Sequence, residues 1–200
     1  MSKIHVVNNS VKIPPEEELN TFVHANNLVF VGKMDYAPNI IAVTFFAKEI
    51  YPELKERYPE LTFSIVGARP GDSVNKLQYI SGVKVTGFVD SVEPFYKKAT
   101  IIVAPMLTGA GIQNKIIQAM SFGCCVATTS LGAEGISLDT HPCAIFNGAA
   151  QWIEGMKDLL SDKDKRKNYG MRARAYVEQN LSREVIKRQF WAFINDIDPK

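Results

Sequence analysis

Residues 100–122 read TIIVAPMLTGAGIQNKIIQAMSF, and their order of residue types decides the fold. Residues 100–104 form a short apolar run that Pro105 ends, and Gly109 and Gly111 lie in the turn that follows. From residue 112 to residue 122, apolar side chains recur at helical spacing. A buried strand, a glycine turn and a helix in this order are the repeating unit of a parallel α/β sheet.

The same unit recurs on both sides of this stretch. Further strands are predicted at residues 28–31, 62–66, 83–86, 124–128 and 143–146. Helices are predicted at residues 39–57, 74–80, 91–98 and from 149 onward, with breaks near Ser161 and Ser182. Residues 4–7 suit one more strand. The alternation predicts an α/β fold, a Rossmann-like doubly wound parallel sheet with C-terminal helices, which binds ligands beyond the carboxyl ends of its strands.

Composition narrows the class of protein. Apolar residues make up 46% and charged residues 22% of the 200-residue chain, as in soluble globular domains. A net charge of +2 does not favour nucleic acid as a partner. Three cysteines lack metal-ligand spacing and are expected to be small core residues in a reducing cytoplasm, and no metal cluster is evident.

The opening of the chain differs from the rest. Residues 8–27 are polar and contain Pro14–Pro15 followed by three glutamates. Composition alone favours a solvated N-terminal extension here, and a linker is the other interpretation.

Two glycine loops are candidate sites for a phosphate group. After residues 100–104, the turn at Gly109 and Gly111 precedes a helix whose free N–H groups suit phosphate oxygens. Lys115 lies one turn inside that helix and adds a positive charge. Gly32 and Lys33 likewise follow a strand and precede a helix. Each loop has an alternative interpretation as an ordinary turn that binds nothing.

Parallel strands place these loops at one edge of the sheet, so we expect them to converge on one anion site. A third turn, at Gly87, Phe88 and Val89, ends a neighbouring strand and is a candidate for contact with a nucleotide base. The alternative is that Phe88 belongs to the core.

The order of these motifs resembles that of a known family. The motifs are VGKMDY at 31–36 with Pro38–Asn39, IVG at 65–67 with Pro70, VTGFV at 85–89, AP through GAGIQNK at 104–115, Ala119–Met120 and GAEGI at 132–136. Together they are similar to the donor-binding lobe of the retaining glycosyltransferases of group 1, which include bacterial lipopolysaccharide and exopolysaccharide sugar transferases. The resemblance covers residues 4–180 and implies a protein built of two Rossmann lobes.

The resemblance also implies roles for individual residues. Gly32 and Lys33 match the pair that meets the donor diphosphate. Lys33, together with Lys115 by its own position one turn inside the helix, is expected to stabilise the leaving group. Other residues match the loops with which the family surrounds the phosphates and the base of the donor. They are Gly67, Phe88, Val89, Gly109, Ala110, Gly111 and Ile112. Gln118 occupies the place of a glutamate that binds the ribose hydroxyls, and Ala110 that of a glutamate facing the donor sugar. Gln118 is neutral and therefore a weaker acceptor.

By this resemblance, residues 1–27 are the linker and first strand of the lobe, and residues 28–200 are a nucleotide-sugar-binding lobe without its N-terminal acceptor lobe. The implied activity is transfer of a hexosyl group from a UDP-sugar or GDP-sugar to a saccharide or lipid-linked acceptor in cell-surface polysaccharide synthesis. The chain alone is expected to be inactive. The full protein is expected in the cytoplasm, with peripheral association with the inner membrane left open. The alternative is a degenerate, non-catalytic nucleotide-binding or partner module. A sugar epimerase is disfavoured because no GxGxxG pattern follows the first strand.

Overall fold

A six-stranded parallel sheet forms the centre of the molecule in the computed structural model, which describes residues 9–22, 26–109 and 111–197. Its strands are β1 (Asn27–Val31), β2 (Thr62–Val66), β3 (Val83–Val85), β4 (Ile101–Ala104), β5 (Val126–Thr128) and β6 (Ala144–Ile145). Their order across the sheet is β3-β2-β1-β4-β5-β6. The order reverses between β1 and β4, so the carboxyl ends of these two strands flank the crevice where such sheets bind ligands.

Helices cover both faces of the sheet, as predicted for a doubly wound fold. They are α1 (Ala37–Phe45), α2 (Tyr51–Arg57), α3 (Asp72–Asn75), α4 (Glu93–Lys98), α5 (Asn114–Ser121), α6 (Gly148–Ser161), α7 (Lys163–Asn180) and α8 (Arg183–Ile197). Two 3-10 turns, Glu16–Glu18 and Lys76–Tyr79, and one π-helical turn, Phe46–Ile50, complete the helical structure of the described residues. The predicted elements from residue 28 onward are present, and their ends shift by a few residues.

The helix predicted at residues 39–57 is continuous but not regular. Between α1 and α2 it contains a π-helical turn, Phe46–Ile50, closed by a hydrogen bond from the Tyr51 N–H to the Phe46 carbonyl. Pro52 follows at the start of α2. A proline inside a helix clashes with the carbonyl four residues earlier, so a wider turn before Pro52 lets the helix continue.

The core lies on both faces of the sheet because side chains of a strand alternate between faces. Leu28 and Phe30 of β1 point into one apolar cluster, and Val29 and Val31 into the other. In the first cluster the fully buried Trp152 meets Phe46 edge-on, with ring centroids 5.6 Å apart. The three cysteines, Cys124, Cys125 and Cys143, are buried free thiols, which confirms their prediction as core residues. Burial raises the pKa of the Cys124 and Cys143 thiols to about 12.

The polar opening segment is attached to the sheet and its helices. Val11 bridges to Ser182, and its N–H donates to the Leu181 carbonyl at 3.0 Å. Asn20 is buried and donates from Nδ2 to the carbonyls of Tyr96 (2.7 Å) and Ala99 (2.8 Å) at the end of α4. A solvated extension is therefore wrong for residues 9–22. The strand predicted at residues 4–7 lies outside the described residues.

The last helix contacts its own lobe with part of its apolar stripe. The helix begins after the predicted break near Ser182, whose hydroxyl caps it by accepting from the Val185 N–H at 3.4 Å. Ile186 is buried, whereas Phe190 and Trp191 are 44% and 53% exposed and contact each other edge-on. Of the described helices, none is both long and apolar enough to cross a membrane.

Candidate functional site

The carboxyl ends of β1 and β2 touch because both carry glycine. The Gly32 N–H donates to the Val66 carbonyl at 2.9 Å. Gly67 has a φ of +147°, and a Cβ there would lie 1.8 Å from the Gly32 carbonyl oxygen. A side chain at Gly67 would therefore force the two strand ends apart. The sequence resemblance assigns Gly67 to the donor site; its packing against Gly32 shows how it shapes the loop that carries Lys33.

Asn39 holds the Lys33 turn from inside the protein. Its side chain is 3% exposed, and its Nδ2 donates to the Lys33 carbonyl at 2.9 Å. The Lys33 side chain is exposed, and within the described part of the chain its ammonium makes no hydrogen bond or ion pair. The nearby Asp35 carboxylate pairs instead with Arg69 at 2.9 Å, and this hydrogen bond lowers the pKa of Asp35. Lys33 thus presents an ammonium group without a salt-bridge partner among the described residues at the end of β1.

The loop after β4 lies against the start of α1. Gly109 and Gly111 adopt positive φ angles of +112° and +73°, which favour glycine. A Cβ at Gly109 would lie 3.7 Å from the Cβ of Pro38, beside the Lys33 turn. The two glycine loops therefore meet, as predicted. Ala110 lies outside the described residues.

One amide of this loop is already engaged. The Gly111 N–H donates to Oε2 of Glu134 at 2.9 Å. It is therefore not free for a phosphate oxygen while Glu134 stays in place. Glu134 was not among the predicted site residues, since 23 residues separate it from Gly111. Ile112, the next residue, packs against Gly135, where a Cβ would lie 2.6 Å from its Cγ1.

The first turn of α5 offers further amides. Its N-cap residue, Gln113, makes no side-chain capping bond, so the N–H groups at the start of the helix have no such partner. The helix dipole adds partial positive charge at the same end. These features suit an anion beside Ile112.

Lys115 reaches from α5 back towards β1. Its ammonium lies 5.4 Å from the centre of the Phe30 ring and donates to Gln113 Oε1 at 3.0 Å. The Met106 sulfur lies 3.6 Å away. Burial lowers the pKa of Lys115 to about 8. Within the described residues, no carboxylate pairs with this half-buried amine.

Gln118 lies farther along α5, at one wall of a cavity of about 360 Å³. The cavity is lined by Asn9, Ser10, Val11, Asn114, Ile117 and Gln118. The buried Tyr96 hydroxyl donates to Gln118 Oε1 at 3.4 Å. This bond leaves the Gln118 amide N–H₂ available to the cavity.

The third turn, after β3, exposes an aromatic ring. Phe88 is 73% exposed, so its interpretation as a core residue is wrong. Val89, its neighbour, packs against the core cluster that also contains Tyr96. The turn therefore fixes Val89 and leaves the Phe88 ring on the surface at the carboxyl edge of the sheet.

Sequence comparison with known proteins identifies a family that this chain matches. Residues 25–162 match the sequence model of a family described as "Glycosyl transferases group 1". An uncharacterised 44.6 kDa protein in the cps region of Klebsiella pneumoniae is 26% identical over 173 residues, which cover 82% of this chain and 45% of that protein. The chain thus spans about half the length of the curated relative it matches.

Solved structures show the same fold. A TarM variant from S. aureus, in complex with fondaparinux, α-GlcNAc-glycerol and UDP, superposes with a TM-score of 0.78 at 15% identity, covering 98% of this chain and 40% of that one. The C-terminal domain of a glycosyl transferase group 1 family protein from Francisella tularensis gives 0.63 at 16% identity, covering 84% of this chain and 90% of that one.

Proposed function

The chain belongs to the glycosyl transferases of group 1, and we propose that it binds the nucleoside diphosphate sugar from which such an enzyme transfers its sugar. One observation carries the proposal. Two glycine loops meet at the carboxyl edge of the sheet, where neither Lys33 nor Lys115 forms a salt bridge with a described carboxylate. A diphosphate is the group of a nucleotide sugar that such a site suits.

The two lysines approach the proposed diphosphate from different sides. Lys33 lies on the loop after β1, and Lys115 reaches over Phe30 of β1 from the helix that follows β4. The amides at the start of α5 belong to the helix turn that also carries Lys115. When the bond to the sugar breaks, negative charge grows on the leaving diphosphate, and fixed cations and dipoles stabilise it without a metal ion.

The nucleoside would lie on the α4–α5 side of this site. The Gln118 amide faces the adjoining cavity and suits the ribose hydroxyls, and the exposed Phe88 ring suits a base. The sugar to be transferred would then lie on the opposite side of the diphosphate. UDP in the S. aureus structure supports a nucleoside diphosphate as the ligand class.

The proposed reaction is transfer of a hexosyl group to a saccharide or lipid-linked acceptor in cell-surface polysaccharide synthesis. The relative from a cps region supports this role. An acceptor would be held by a second lobe, since the chain spans about half of its relatives. The full protein would then act in the cytoplasm, at or near the inner membrane.

Calorimetric titration with UDP, GDP and their sugars tests the proposal. We expect saturable binding of one nucleoside diphosphate series, with the preferred base identifying the donor. Loss of that binding in the Lys33→Ala, Lys115→Ala double variant would link it to this site. A correctly folded chain that binds no nucleoside diphosphate at millimolar concentration would contradict the proposed function.

A further inference from the structure

Glu134 is a charged side chain at the proposed donor site to which no role has yet been assigned. It lies in the turn after β5, and its exposed carboxylate accepts a hydrogen bond from the Gly111 amide at 2.9 Å. Gly111 belongs to the loop that meets the Lys33 turn. Glu134 thus brings a negative charge to the edge of a site otherwise marked by positive charge.

The turn that carries Glu134 is held firmly in place. Its backbone closes on itself through the Ala133 N–H to Thr129 carbonyl bond (3.0 Å) and the Ile136 N–H to Ala133 carbonyl bond (2.9 Å). Ala133 and Ile136 are buried, and Gly135 packs against Ile112 of the glycine loop. The carboxylate is therefore positioned by the fold.

The order of the strands places Glu134 on the far side of the diphosphate site from the base. Along the carboxyl edge, Phe88 follows β3, Lys33 follows β1, Gly111 follows β4 and Glu134 follows β5. Neighbouring strands are about 4.8 Å apart, so the ends of β1 and β5 are roughly 10 Å apart. A ligand whose base lies near Phe88 and whose diphosphate lies near Lys33 would extend its sugar towards Glu134.

The chemistry of a carboxylate selects among the parts of that ligand. A carboxylate repels phosphate oxygens but accepts strong hydrogen bonds from hydroxyl groups. It has about four acceptor positions, and the Gly111 amide fills one of them. A carboxylate that is fixed through one oxygen and open to solvent is therefore suited to a sugar hydroxyl.

We propose that Glu134 binds hydroxyl groups of the donor sugar, an inference that rests on the proposed function. The residue would then contribute to affinity for the nucleotide sugar and not for the nucleoside diphosphate alone. Its role would be to bind and orient the sugar ring.

Paired titrations of UDP against UDP-glucose and UDP-N-acetylglucosamine, and of GDP against GDP-mannose, separate these contributions. We expect Glu134→Ala to weaken the best-bound nucleotide sugar about tenfold, the value of one charged hydrogen bond, and to change affinity for the parent nucleoside diphosphate less than about twofold. Glu134→Gln keeps an acceptor without its charge. Its affinity for the nucleotide sugar should therefore fall between those of the wild type and Glu134→Ala.

Asp139→Asn is the matched control, since Asp139 is an exposed carboxylate of the same connection that bonds with the Ser137 hydroxyl. It should leave both affinities unchanged. Equal effects of Glu134→Ala on nucleotide and nucleotide sugar would overturn the inference, and tighter binding of both would show that the carboxylate competes with the diphosphate. If the wild-type chain binds no nucleoside diphosphate, the proposed function fails and this inference fails with it.

Discussion

Lys33 gives the most direct test of the diphosphate site at the scale of single residues. Its side chain is exposed and uncommitted among the described residues, while Asn39 fixes its backbone. We expect Lys33→Ala to weaken nucleoside diphosphate binding by about 1.5 to 3 kcal/mol, because a charge-assisted contact is removed. Lys48→Ala, which removes an exposed lysine in the π-helical turn after α1, should have no effect in the same titration. Equal affinity of Lys33→Ala and wild type would make Lys33 an ordinary surface lysine.

Lys115 should make binding depend on pH. Burial lowers its pKa to about 8, so the amine is charged below that pH and becomes neutral above it. Affinity for a nucleoside diphosphate should therefore fall as the pH rises through about 8, where the phosphates themselves no longer titrate. Titrations between about pH 6.5 and 9.5 would show this dependence, and Lys115→Gln should flatten it. A wild-type profile as flat as that of the variant would exclude Lys115 from the site.

Gln118 should respond to an added charge if it lies over the ribose. We expect Gln118→Glu to tighten nucleoside diphosphate binding by roughly 1 kcal/mol, because a carboxylate accepts stronger hydrogen bonds from hydroxyls. The Tyr96 hydroxyl can donate to the new carboxylate as it does to the present amide. Gln78→Glu adds the same charge at an exposed position on another helix and is the control. Unchanged or weaker binding would mean that the ribose is held elsewhere.

At the scale of elements, the opening segment is coupled to α4 through Asn20. We expect Asn20→Ala to lower the free energy of unfolding by about 2 kcal/mol, because the carbonyls of Tyr96 and Ala99 each lose a buried donor, and Tyr96 keeps only longer bonds from the Ala99 N–H and the Cys124 thiol. Denaturant unfolding followed by circular dichroism measures the loss. Thr21→Ala truncates an exposed neighbour and should cost little. A loss as small as that of Thr21→Ala would show that the segment contributes no stability.

The elements that sequence predicted well are those whose signal is local. Strand β2 is found at the predicted residues, because an apolar run between turn residues is sufficient to define it. The attachment of residues 9–22 was missed, since it depends on Asn20 contacting residues 76 and 79 positions away. The π-helical turn before Pro52 was missed because helical periodicity does not distinguish it from a regular turn.

In the candidate site, too, local features were predicted and long-range contacts were not. Glycines at strand ends correctly predicted that the loops of Gly32 and Gly109 meet. A core position was the alternative interpretation of Phe88, yet its ring is exposed, whereas the neighbouring Val89 packs against the core. The contact between Glu134 and Gly111 joins two loops whose distance is set only by the pairing of β4 with β5.

At the scale of the whole molecule, the two apolar clusters share the strands of one sheet. Separating either cluster would expose the other, so we expect the chain to unfold in one cooperative transition. Far-ultraviolet circular dichroism and a probe of tertiary packing should give coincident curves in denaturant. Two well-separated transitions would contradict a single folding unit.

The two tryptophans give the molecule a built-in optical contrast. Trp152 is enclosed between Phe46 and Phe146 in the core, whereas Trp191 is about half exposed on α8. The indole of Trp152 should emit at short wavelength and resist a dissolved quencher such as iodide, and that of Trp191 should emit at longer wavelength and be quenched. Tryptophan fluorescence thus reports separately on the core beside the sheet and on the surface of the last helix. A molecule that binds over α8 would change only the emission of Trp191.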